Sequence, residues 1–107
     1  MDLSELARLT KQNKTADILR RAKARVDTPE KWFGPHHMPR FGGGRLCAGM
    51  ALESVGGWDH PARTTFCLAI GAEDGCMGVV HWNNAPERTH AEVMQAFDAA
   101  IAMAEQA

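Results

Sequence analysis

The residues that could do chemistry fall into four groups. The first is Trp82-Asn83-Asn84 with Arg88 close behind, a set of polar side chains beside an aromatic anchor. Such a set could form a polar binding edge. It could equally be turn chemistry, with the Asn amides bonding local backbone ahead of a helix. The second group is five histidines, at 36, 37, 60, 81 and 90, and three cysteines, at 47, 67 and 76. Zinc needs three or four convergent ligands, and no standard ligand spacing occurs, so neither a metal nor another cofactor is expected. Cys47 precedes an apolar stripe of Met50, Ala51 and Val55. A thiol near a helix start can act as a nucleophile if a base reaches it. A buried small hydrophobe is the simpler reading.

The third group is Phe41-Gly-Gly-Gly-Arg45. Its bare amides and arginine could cradle an anion, but the Walker Lys-Ser/Thr is missing. The fourth is the run of Lys and Arg between residues 8 and 25. It could hold nucleic acid, although no aromatic residue interleaves it and the whole chain is slightly acidic.

These groups must be positioned by one small fold. With 107 residues the chain is expected to be a single domain over 1–107, since a second core would be too small. Hydrophobic residues at 45% and charged residues at 23% are those of a globular protein and exclude disorder and collagen-like repeats. No apolar run approaches the ~20 residues of a spanning helix, so no membrane is expected. No Cys-x-x-Cys occurs and the cysteine count is odd, which points to a reducing, cytoplasmic setting. Residues 1–45 hold ten Lys/Arg against five Asp/Glu, and residues 46–107 hold two against eight. The two halves either make opposite surfaces or neutralise each other.

The pattern predicts a mainly helical α+β fold with four or five short helices and at most a small two-stranded ribbon. An N-terminal helical segment covers 3–26. Asp2-Leu-Ser-Glu5 has capping-box spacing, and the polar run Lys11–Lys14 is expected to break the segment, with Thr15 as a new N-cap. Ile18, Leu19, Ala22 and Val26 form an apolar stripe. Residues 27–45 read as an irregular loop rich in Pro and Gly. A helical body follows over 46–107. It has a helix from Leu46 to Val55, a second after Asp59 or His60 with Pro61 in its first turn, and a β-branched extended piece at Met77–His81. Gly49 inside the first costs about 1 kcal/mol unless a neighbouring helix packs there. Thr89-His-Ala-Glu92 is a capping box that opens a last helix over about 90–104.

The stretch Val79-Val-His-Trp-Asn-Asn-Ala-Pro-Glu-Arg-Thr-His-Ala-Glu-Val93 resembles a family of small actinobacterial and phage proteins of unknown function. Its hallmark is an aliphatic pair, Trp-Asn-Asp, a turn, Arg-Thr, and Glu-Val opening the last helix. Ile18-Leu-Arg-Arg-Ala22, Trp32, Gly34 and Gly44-Arg-Leu-Cys-Ala-Gly-Met-Ala-Leu52 are similar to further parts of it. Asn84 departs from the family's Asp, and the loop 34–44 departs from its short turn. The resemblance implies a bacterial or phage origin and no particular reaction.

Together these readings favour a non-enzymatic binding protein of phage or mobile-element type that contacts a host or phage protein, with inhibition of a bacterial defence complex as a fitting role. Its expected contact residues are Trp32, Phe33, His36, His37, Met38, Arg40, Phe41, Arg45, Asn83 and Arg88. The alternatives are a nucleic-acid module on the basic N-terminal helices, and a small enzyme or ligand-binding domain around Cys47, His81, Asn83 and Arg88.

Overall fold

A computed structural model describes residues 2–37, 44–57 and 60–106. Five helices carry these residues: α1 (Leu3–Ala24), α2 (Ala48–Gly56), α3 (Pro61–Ile70), α4 (Cys76–Asn83) and α5 (His90–Gln106). No strand forms among them. The ribbon expected from the sequence is replaced by one isolated parallel bridge between Trp32 and Leu46.

α1 starts where predicted, with the Asp2 carboxylate accepting from the Glu5 amide at 2.8 Å. It does not break at residues 11–14, and Thr15 lies inside the helix. Lys and Gln are good helix formers, so a polar run need not end a helix. That run marks where the apolar stripe changes sides. At about 100° per residue, the line of Leu3, Leu6, Ala7 and Thr10 points roughly 140° away from the line of Thr15, Leu19 and Ala22. The second line is buried, with Leu19 and Ala22 fully so. The first is exposed, as are all the residues from 2 to 8 around it.

α2 begins two residues later than expected, because Leu46 is held in the bridge and Cys47 becomes the N-cap. α3 has His60 as its N-cap and Pro61 in its first turn, as the sequence suggests. α4 corrects the extended assignment of 77–81. Two adjacent valines favour a strand locally, but packing overrides so short a preference. Gly75 turns the chain at φ +143°, and Gly78 lets α4 settle onto the Glu73 carbonyl, 2.3 Å from where a Cβ would stand. α5 opens on the predicted capping box: the Thr89 amide donates to Glu92 at 3.0 Å, and the Glu92 amide to Thr89 Oγ1 at 3.2 Å.

The core gathers Leu19 and Val26 with Leu52, Phe66, Val79, Val93 and Phe97. The Phe66 and Phe97 rings lie 4.8 Å apart, and Trp82 meets Phe66 edge-on. α1 also joins α5 through ion pairs of Arg20 with Glu105 and of Lys23 with Asp98. Part of the charge asymmetry between the two halves is thereby spent inside the fold. No described helix is long and apolar enough to cross a membrane.

Candidate functional site

The polar centre of the molecule is Asn83, the last residue of α4, which is fully buried. Its Oδ1 accepts from Trp32 Nε1 at 2.7 Å and from the Ala48 amide at 3.0 Å. Its Nδ2 donates to the Phe33 carbonyl and to Asn84 Oδ1, both at 3.0 Å. Both amide hydrogens and two acceptor bonds are therefore placed. The Ala48 amide is one of the orphan donors at the start of α2, so a side chain 35 residues away caps that helix.

Three local features deliver Trp32 to this point. The bridge fixes its backbone, with the Phe33 amide donating to the Leu46 carbonyl at 2.8 Å and the Leu46 amide to Lys31 at 2.9 Å. Arg45 clamps the same corner, Nη1 donating to the Pro29 carbonyl at 2.8 Å and to the Trp32 carbonyl at 3.2 Å. Gly34 leaves room for the indole, whose atoms lie 2.5–2.8 Å from where a Cβ would be.

Two imidazoles flank the indole. His37 Nδ1 accepts from the Gly34 amide at 2.8 Å. Its ring stands edge-on to Trp32 at 6.5 Å and 5.5 Å from Phe33. His90 lies 6.0 Å from Trp32, and its Nε2 donates to the Val26 carbonyl at 2.7 Å.

Of the expected contact residues, Trp32, Phe33, His37, Arg45 and Asn83 thus come together, as a cluster closed by internal bonds. Trp32 and Asn83 are buried, and His36 is exposed. Arg88 engages other groups. Its Nε donates to the Trp82 carbonyl at 2.8 Å, its guanidinium stacks 4.0 Å over the Trp82 ring, and Nη1 meets Glu92 at 3.0 Å. Met38, Arg40 and Phe41 lie outside the described residues.

The alternative set does not converge. Cys47 Sγ accepts from the Met50 amide at 3.4 Å, His81 is exposed on α4, and Arg88 is taken by Trp82 and Glu92. Among the described residues no three His, Cys, Asp or Glu side chains could share a metal ion. The Glu92 carboxyl is held below the usual range, first by the Thr89 amide and then by the Thr89 hydroxyl and Arg88. Asp27 is lowered by its hydrogen bond from Lys31. Both shifts belong to local capping and surface pairing.

Sequence reasoning singled out Asn83 but missed its partners. Only Asn84 is local; Trp32, Phe33 and Ala48 are 35 to 51 residues distant. It also missed the His90–Val26 bond, for which no local signal exists.

What fold and centre define is a small helical domain organised around a hydrogen-bonded Asn–Trp staple. The family model described as Family of unknown function (DUF6197) matches residues 10–103, and the chain belongs to that family. No curated protein and no solved structure matches the chain.

Proposed function

We propose that this protein acts by protein–protein contact and not by catalysis. The observation that supports this most is the start of α1. Its later turns bury their apolar line in the core, while residues 2–8 are exposed on every face, Leu3 and Leu6 at 83% and 53% among them. They line a shallow groove with Ala7, Thr10 and Lys14. A capped helix that holds two leucines in water offers a pre-formed apolar contact. Trp32, Asn83, Arg45 and Arg88 are meanwhile committed to internal bonds.

The basic segment gives less support to nucleic-acid binding. Arg20 and Lys23 turn to Glu105 and Asp98, and Arg21 pairs with Asp17 at 3.1 Å. The partner in this proposal is a host or phage protein in the cytoplasm, and the role is inhibition of a bacterial defence complex. Origin and role rest on the family resemblance alone.

The test is affinity capture from host lysate with the wild type and with the double variant Leu3→Glu/Leu6→Glu, whose helicity is checked by circular dichroism. A partner retained by the wild type and lost by the variant is the expected result. Equal capture by both removes the outer face of α1 from the interface. A salt-sensitive gel shift with nucleic acid at low salt overturns the reading in favour of the basic segment.

A further inference from the structure

We propose that His60 is an acid-sensitive latch, capping the first turn of α3 at neutral pH and releasing that turn on acidification. Helix N-caps are ordinarily Ser, Thr, Asp or Asn, whose capping oxygens do not lose acceptor capacity near neutrality. Here the cap is an imidazole nitrogen: His60 Nδ1 accepts from the Ala62 amide at 3.0 Å. Pro61 has no amide hydrogen, so Ala62 supplies the first donor of the helix. An acceptor Nδ1 carries no proton, which places the ring proton on Nε2.

Protonating Nδ1 has two consequences at once. The acceptor becomes a donor facing another donor, and a positive charge arises at the positive end of a helix. The imidazole sits against Gly56. Its Cβ and Cγ lie 3.2 Å from where a Gly56 Cβ would stand, and Ile18 of α1 closes on the same point from 3.0 Å. The glycine is what lets α1, α2 and the ring meet.

Burial lowers the His60 pKa below its ordinary value of 6.5, in the direction this geometry requires. At the Gly56 contact, Ile18 of α1 carries no titratable group. On α3 the charged residue nearest in sequence is Arg63, whose Nε reaches Asp74 at 3.3 Å. Asp59, next in the chain, lies outside the described residues.

Hydrogen exchange at the Ala62 amide, expressed as a protection factor, tests the latch at pH 7.5 and pH 5.0. The expected change in the wild type is about a tenfold loss of protection at the lower pH, the equivalent of one N-cap hydrogen bond. His60→Asn supplies a cap that does not titrate and is expected to keep its protection at both values. His60→Ala is expected to be poorly protected at both. An equal loss in wild type and His60→Asn overturns the proposal. So does a nitrogen chemical shift showing Nδ1 of wild-type His60 protonated at pH 7.5, a measurement that needs no variant to fold.

Discussion

Replacing Asn83 by alanine tests the staple most directly. The substitution leaves Trp32 Nε1–H and the Ala48 amide without their acceptor inside the core, and the Phe33 carbonyl without its donor. Each orphaned buried group costs about 1–3 kcal/mol, and the lost side-chain volume adds a cavity term. Allowing for partial relaxation, Asn83→Ala is expected to lose about 3–5 kcal/mol, a large share of the roughly 5–15 kcal/mol that holds a domain together. Urea unfolding followed by tryptophan fluorescence and by circular dichroism measures it, with the denaturant slope checked for constancy. Asn83→Asp separates hydrogen bonding from volume. Its carboxylate can still accept from Trp32 and Ala48, but a second oxygen now faces the Phe33 carbonyl and Asn84 Oδ1. That variant is expected to be destabilised near neutrality and to recover relative to wild type as pH falls, because the protonated acid can donate. Trp32→Phe removes the same N–H from the other side, so its loss and that of Asn83→Ala should add to more than the double variant loses, by about 1 kcal/mol or more. A loss below about 1 kcal/mol for Asn83→Ala at an unchanged slope would refute the staple.

Two glycines are expected to respond in opposite directions. Gly34→Ala drives a methyl into the Trp32 ring and should cost about 1–3 kcal/mol, read from the same urea curves. Gly49→Ala places its methyl 3.5 Å from Val80 and 3.6 Å from Val79, in ordinary contact, and should raise stability by up to about 1 kcal/mol through helix propensity. Glu92→Gln tests the α5 capping box by pH. Because the folded pKa of Glu92 is depressed, its contribution is full above the ordinary value of 4.5 and is lost as pH falls through the folded value. The melting-temperature gap between wild type and variant should therefore be widest near neutrality and close in acid; a gap that persists unchanged in strong acid contradicts the assignment.

What the sequence by itself determined is what neighbours in the chain can decide. The Asp2 and Thr89 caps and the Pro61 entry to α3 are interactions across one to four residues, and each stands where the pattern put it. Local pattern failed where distant packing outweighed it. The valines of α4 read as extended, yet the helix forms because α2 and α3 receive it and because Gly78 admits the Glu73 carbonyl. The polar run in α1 read as a break, yet the helix continues because nothing in Lys-Gln-Asn-Lys opposes it and α5 and α2 hold the turns that follow. Asn83 read as a candidate binding residue. Its bonds to Trp32, Phe33 and Ala48 bring together segments up to 51 residues apart, and no local window contains that information. Tertiary structure alone decided that Asn83 pairs in the interior with the distant Trp32 and not with its neighbour Trp82, because a buried polar group must find its partners wherever the fold brings them.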